Sequence, residues 1–360
     1  MEKNILAITC LTCISIYSFA QVANDTIRSI DLKQYVISAS RDPEPEKKVS
    51  QQISIISSNR IKQLQPQTTA DALASMPGVF VQKSQMGGGS PVVRGFEASR
   101  ILLVVDGVRM NNLIYRSGHL QNVITADNFS LDRIEVLSGP ASSVYGTDAL
   151  GGVVHLLTRN PKFAGDNNLL VESNLVSRYS SANTEKTLHG DVNLGWKKFS
   201  SYTSFTVSDF DDLRGGKNFN PFYGKSFGER NFYVERINNR DTLMANSRPE
   251  LQVGRAYTQY DVVQKFSLRT GNSDMHKFNF QYSTSSDVPR YDRLTDPTAS
   301  GLKYAEWNYG PQKRFLGAYD FSRNIKPGSY GRIKAGLNFQ DIEESRITRK
   351  FNDAQRIIRI

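Results

Sequence analysis

From about Leu169 onward, the chain alternates apolar and polar residues with a period of two, in run after run. Leu188, Val192, Leu194 and Trp196 fall on one face of the first clear run, with His189, Asp191, Asn193 and Lys197 on the other. Tyr260, Val262, Phe266 and Leu268 oppose Gln259, Asp261, Lys265 and Arg269, and Phe278, Phe280 and Tyr282 oppose Lys277, Asn279 and Gln281. Ile333, Ala335, Leu337 and Phe339 repeat the pattern against Arg332, Lys334, Asn338 and Gln340. A period of two places successive side chains in two environments, which only a β-strand does. Each run has roughly the length a tilted strand needs to cross a bilayer. A soluble sandwich alternates in the same way, so the connections must decide.

The connections alternate too. Trp196–Phe199, Thr270–Asp274 and Asn324–Ser329 are short, while Asp211–Leu251 and Asp287–Lys313 are long. Short turns at one end and long loops at the other match a transmembrane β-barrel. Ser180–Lys186 is short where the pattern wants a long loop. The count reaches seven strands, with the start of an eighth at Arg356–Ile360.

Composition supports strands over helices. Hydrophobic residues make up 39% against the usual ~45–50%, and mean hydropathy is −0.44. Outside the first 20 residues no stretch approaches the ~18 apolar residues of a spanning helix, which excludes a helical membrane protein. The net charge of +10 comes from Lys and Arg scattered among acids, not from a stripe or tail, and this argues against nucleic-acid binding. Residues 1–20 read as a signal peptide: Glu2–Lys3, a mostly apolar Ile5–Ala20 and small residues at Ser18 and Ala20. A buried N-terminal helix is the alternative. Both cysteines, Cys10 and Cys13, lie inside this stretch, so the mature chain carries no thiol chemistry and no disulfide framework.

Residues 21–50 form a polar tether with an extended linker at Arg41–Lys48. Within it Tyr35-Val36-Ile37-Ser38-Ala39-Ser40 is a β-prone island. It either pairs with another chain by strand addition or opens the next domain. Residues 51–161 read as a compact mixed α/β domain. It contains a helix over Thr68–Ser75 stopped by Pro77-Gly78, an apolar strand Ile101–Val105 turning at Asp106-Gly107, and further strands at Leu131–Leu137 and Gly151–Thr158.

No motif carries catalysis. Gly87-Gly88-Gly89 lacks the ending of a phosphate loop and reads as a flexible loop tip. His119, His155, His189 and His276 have no metal-ligand spacing, and no nucleophile elbow is present. Asp106 and Glu135 sit beside turns and arginines, where ion pairing fits better than acid–base work. No enzyme, metal site or cofactor is expected.

The 51–161 domain resembles the plug of TonB-dependent outer-membrane receptors. Three blocks carry the likeness. The first is Thr69-Ala70-Asp71-Ala72-Leu73 with Met76-Pro77-Gly78-Val79. The second is Val93-Arg94-Gly95-Phe96 with Val104-Val105-Asp106-Gly107-Val108-Arg109. The third is Asp132-Arg133-Ile134-Glu135-Val136-Leu137-Ser138-Gly139-Pro140 with Tyr145-Gly146, Ala149-Leu150-Gly151-Gly152-Val153-Val154 and Thr158-Arg159.

The resemblance implies an α+β plug domain followed by antiparallel transmembrane β-barrel strands over 165–360. It implies energy-coupled uptake of a scarce nutrient through the outer membrane, with the periplasmic TonB complex, lipid and a small-molecule ligand as partners. Tyr35–Ser40 would be the TonB box, and Arg94, Arg133 and Glu135 would face the wall's inner surface. The loops Ser84–Pro91 and Asn111–His119 would face ligand, making Gln85, Met86, Asn111, Tyr115 and His119 candidates there. Val288–Leu294 and Tyr304–Gln312 are similar to external loops of haem or iron-complex receptors, which adds Tyr291 and Trp307. Such a plug needs a barrel of ~22 strands, some 450 residues at roughly 20 per strand and loop. Roughly 200 residues follow Pro161, so the barrel is expected to be incomplete and the chain truncated or split. A non-transporting ligand-capture module or inactive remnant is the competing reading.

Overall fold

A computed structural model of the chain describes residues 35–110, 122–165, 168–216, 219–220, 222, 225–226, 228–271, 273–299, 301–325 and 331–359. The expected signal peptide, with Cys10 and Cys13, lies outside the described residues, as do residues 21–34 of the tether and Asn111, Tyr115 and His119.

β1 (Tyr35–Val36) pairs with β2 (Glu44–Pro45) as a short antiparallel ladder. β3 (Gln52–Ser57) leads into α1 (Ser58–Leu64), whose first turn is capped by the Ser57 hydroxyl accepting from the Arg60 amide. α2 (Thr69–Ala74) opens on a capping box, Thr68 and Asp71 each accepting from the other's backbone N–H, which satisfies two otherwise orphaned donors. β4 (Val79–Gln82) and β5 (Ser90–Val93) make a hairpin. β6 (Ile101–Val105), β7 (Val108–Arg109), β8 (Leu131–Ser138) and β9 (Gly152–Thr158) complete a five-stranded mixed sheet of order β3-β8-β9-β6-β7, with β6 parallel to β9.

Alternation along β6 explains why Ile101–Val105 is apolar throughout. Leu103 and Val105 face α2 with Ala70, Leu73, Ile134 and Leu156. Leu102 and Val104 face the opposite way, with Leu137, Tyr145 and Val153. A strand covered on both faces needs no polar side, and each buried Leu contributes ~1.5–3 kcal/mol. The Asp106-Gly107 turn has φ +49° and +86°, the two positive values of a type I′ hairpin turn.

Gly152 is a harder constraint. Its φ is +153°, and a Cβ there would lie 2.5 Å from the Leu137 carbonyl oxygen. Gly152→Ala is expected to destabilise the plug by about 2–3 kcal/mol, read as a lower urea midpoint. An unchanged midpoint would remove this account of the closing Gly-Gly pair. Gly87-Gly88-Gly89, expected as a flexible loop tip, is instead packed inside. All three are buried, and a Cβ on Gly87 would meet Ile124 and Tyr257 at 2.6–2.8 Å. Gly87 permits close approach of the 51–161 domain to Tyr257, and Gly89 packs against Val81 and Ala70 within that domain.

The wall has seven strands: β10 (Leu170–Ser180), β11 (Glu185–Gly195), β12 (Phe199–Phe210), β13 (Tyr257–Thr270), β14 (Asp274–Ser285), β15 (Lys313–Asn324) and β16 (Arg332–Glu343). Each pairs antiparallel with the next. The sheet does not close among the described residues, and β10 and β16 are its edges. Short turns join β11–β12, β13–β14 and β15–β16 at one end. Long connections leave from the other end and build a four-stranded sheet of Val288–Pro289, Tyr304–Tyr309, Arg346–Lys350 and Ile357–Arg359. The residues read as the start of an eighth strand belong to this second sheet, paired with Arg346–Thr348.

The wall's polarity is the inverse of a soluble sheet. Leu188, Phe205, Tyr260, Phe280 and Tyr282 are exposed on its outer face, while Thr187, His189, Asp191, Thr206, Asp261 and Lys265 are buried on the inner face. An apolar exterior and a polar interior suit lipid outside and a polar body within. No described helix is long and apolar enough to cross a membrane.

Candidate functional site

The plug meets the wall through polar groups. Asp106, at the β6–β7 turn, accepts from the Thr158 amide at 2.9 Å and the Thr158 hydroxyl at 2.6 Å within the plug. It also accepts from Asn279 at 3.0 Å and Gln281 at 2.8 Å on β14, and pairs with Lys265 of β13 at 3.0 Å. Burial alone would raise its carboxyl, but the Lys265 ammonium and the Thr158 bonds outweigh it and hold the group below the ordinary carboxylate range.

A second seam lies along β10–β13. Arg159 pairs with Asp191 at 2.6 Å. The Thr206 hydroxyl donates to Asp127 at 2.7 Å, and Gln259 donates to the Ile124 carbonyl at 2.7 Å. Gln67 donates to Glu185 at 2.7 Å. Arg178, itself paired with Glu185, donates to the Pro66 and Gln67 carbonyls and lies 4.7 Å over the Phe129 ring. These are directional bonds that water can replace when the parts separate, unlike an apolar interface.

At the short-turn end, Tyr35–Ser40 is folded back onto the plug. The amides of Ile37 and Ser38 donate to Glu135 Oε2 at 2.9 Å each, joined by the Ser38 hydroxyl. Arg133 donates to the other oxygen at 2.8 Å. Val36 and Ser38 are fully buried. Burial would raise Glu135, yet the Ser38 and Ile37 donors hold it lowered. Beyond the island, Arg41 lies 5.2 Å over the Tyr145 ring, and Asp42 pairs with Lys334 of β16. The segment therefore touches both plug and wall. Ile37, Arg41 and Pro43 help line a cavity of about 640 Å³ beside the β13–β14 and β15–β16 turns.

At the long-loop end, a cavity of about 420 Å³ is lined by plug residues Lys83, Gln85 and Met86 and by loop residues Arg255, Tyr291 and Asp292. Both amide atoms of the buried Gln85, and Nε of Arg255, have no partner among the described residues. Arg255 lies 4.3 Å and Arg230 5.1 Å over the Tyr291 ring. Met86 packs against Ile124, Phe210, Tyr257 and Val288. The arrangement offers an amide, a guanidinium and a ring to a polar or anionic guest.

Gln85, Met86 and Tyr291 thus meet in one cavity. Trp307 does not join them: it is buried against Leu294 and Tyr309, with Arg290 stacked 4.7 Å above it. The expectation that Arg94, Arg133 and Glu135 face the wall needs correction. Among the described residues Arg94 bonds Gln52, Arg133 bonds Asp132 and Glu135, and Glu135 binds the N-terminal segment. Asp106, Asp127 and Arg159 make the wall contacts instead. Sequence reasoning passed over Gln67, Asp127 and Arg255. The polar faces of β11–β14 signalled that partners must exist for them, though not which ones. Gly95, Gly139, Gly146 and Gly152 take positive φ. Gly151 lies tight against Phe96, and Pro140 follows the β8 end. Among the described residues no cluster of potential metal ligands is present.

Comparison with known proteins agrees with this geometry. Residues 45–153 match the TonB-dependent Receptor Plug Domain. The chain is 26% identical over 312 residues to the vitamin B12 transporter BtuB of Vibrio vulnificus strain CMCP6, covering 84% of this chain and 42% of that protein. It is 37% identical over 165 residues to BtuB of strain YJ016, covering 44% of this chain and 25% of that one. It therefore spans less than half the length of these curated relatives. Among solved structures, the copper transporter OprC superposes with a TM-score of 0.61 at 13% identity, covering 82% of this chain and 38% of its own. A ferric enterobactin receptor from Pseudomonas aeruginosa, PfeA, gives 0.55 at 17%, covering 86% and 45%. These two likenesses are of fold.

Proposed function

Because the chain belongs to the TonB-dependent outer-membrane receptor family, we propose that it supplies the plug and first wall strands of an energy-coupled transporter for a scarce metal chelate, an iron complex or haem. Residues 1–20 are the proposed signal peptide, 21–50 the tether with its TonB box at Tyr35–Ser40, 51–161 the plug, and 165–360 part of the barrel. The long loops then face outside and the short turns face the periplasm.

One observation carries the reading: a guest cavity and a docked N-terminal segment lie at opposite ends of a plug fixed to its wall by remakeable polar bonds. A ligand entering at Gln85 and Tyr291 touches plug and loops together, while a pull on Tyr35–Ser40 acts on Glu135 in the plug sheet. The Arg255–Tyr291 stack and the Gln85 amide, unpartnered among the described residues, suit a ligand with a flat face and anionic oxygens. Haem propionates and iron-chelate oxygens share that chemistry.

Titration of the detergent-solubilised chain with haemin, a ferric catecholate and cyanocobalamin, followed by tryptophan quenching, tests it. An iron ligand should bind best, and Tyr291→Ala should weaken it about tenfold. Tightest binding of cyanocobalamin would replace iron by a corrinoid. No binding by any of the three would favour the inactive-remnant reading.

A further inference from the structure

We infer that His155 couples docking of Tyr35–Ser40 to the Asp106 anchor on the wall, by taking a proton from solvent when the segment leaves. The inference rests on the reading of that segment as the coupling element.

His155 sits in mid-β9, buried, directly opposite Glu135 on β8 and beside Val104 on β6. Directly opposed residues of an antiparallel pair share a face, with Cβ atoms ~4.5–5.5 Å apart. His155 is thus next to the carboxylate that holds the segment. Its Nε2 accepts from the Gly107 amide at 3.0 Å, so the ring's single proton resides on Nδ1, which has no partner among the described residues. Gly107 follows Asp106, the residue bonded to Lys265, Asn279 and Gln281. One neutral ring therefore lies between the segment's latch and the plug's anchor.

Charged groups reach the ring from each side: Glu135 and Arg133 from β8, Asp106 from the turn and Arg41 from the segment. Burial dominates and pushes the imidazole down to about 4, with Glu135 and Asp106 opposing it and Arg133 and Arg41 reinforcing it. Departure of the segment changes two of these. Glu135 loses the Ile37 and Ser38 donors and attracts a proton more strongly, and the Arg41 guanidinium withdraws. Both favour imidazolium. The proton enters from water through the cavity of about 530 Å³ that His155 and Gly107 line. An imidazolium has no lone pair, so it cannot accept from Gly107, and the turn carrying Asp106 loses its inner support.

The sign follows from linkage. The docked state binds fewer protons than the released state, so release grows as pH falls below the ordinary histidine value of ~6.5, by at most tenfold per unit. By reciprocity, protonation of His155 weakens docking by the same factor. Glu135, stripped of its Ile37 and Ser38 donors, takes up protons in the same direction, and the part of the slope that His155→Gln removes belongs to His155.

A nitroxide at Tyr35→Cys, in the full chain with Cys10 and Cys13 replaced by serine, reads the released fraction. That fraction should rise at least threefold from pH 7 to pH 5. His155→Gln keeps an acceptor for Gly107 without titrating, and should flatten the slope while leaving the segment docked. In 15N-histidine spectra, Ser38→Asp, which sets a second carboxylate against Glu135, should make the His155 signal titrate above pH 5. An equal pH slope in His155→Gln, or an imidazolium signal from the docked protein at pH 7, would overturn the coupling. Neither result touches the uptake reading, which the ligand titration tests separately.

Discussion

Glu135→Ala should release the N-terminal segment. One carboxylate oxygen takes two backbone amides and a hydroxyl from Ile37 and Ser38. Hydrogen bonds to a charged group contribute about 1.5–3 kcal/mol each, opposed by roughly 1–2 kcal/mol of backbone entropy per ordered residue. Removing the acceptor leaves two buried amides unpaired, and the segment escapes that cost by undocking. The docking equilibrium should shift at least a hundredfold, about 2.7 kcal/mol. A label at position 35 should change from immobile to mobile, and, on the TonB-box role proposed for this segment, a TonB C-terminal fragment should bind more tightly. Glu135→Gln keeps one acceptor oxygen and should shift the equilibrium less. An immobile label in Glu135→Ala would mean that Val36 burial and the Asp42–Lys334 pair hold the segment without the latch.

Asp106→Ala should cost the plug–wall assembly about 3–5 kcal/mol, the usual penalty for removing one partner of a buried ion pair. Lys265 retains only 4% side-chain exposure and would lose the carboxylate at 3.0 Å. Asn279, Gln281 and Thr158 would lose an acceptor as well. Urea unfolding in detergent should show the drop, and a second change, Lys265→Met, should recover about half of it, because that buried charge is then gone. A loss below ~0.5 kcal/mol would show that the other seam carries the attachment. Asp106 and Glu135 are both held below ordinary carboxylate values. Their stabilisation is therefore present above those values and lost as pH falls through the lowered ones.

Much of the fold was legible because its determinants are local. The helix that starts after Thr68, the apolar run Ile101–Val105 and the Asp106-Gly107 turn each depend on a few neighbouring residues, and each forms where the sequence places it. The two-residue alternation of β11, β13, β14 and β16 is likewise a property of each strand alone. Gln85 and Tyr291 were legible as loop residues of a recognisable kind. Their meeting depends on chain 206 residues apart, which no pattern encodes.

What the sequence determined by itself is the set of strands, which face of each is polar, and the α+β body that precedes them. Periodicity and turn chemistry settle those before any long-range contact exists. Only the tertiary structure decided that the polar faces turn inward, that Glu135 serves the N-terminal segment and not the wall, and that Asp106 finds Lys265. A carboxylate accepts from whichever donor packing brings within about 3 Å, and that choice belongs to how whole sheets stack.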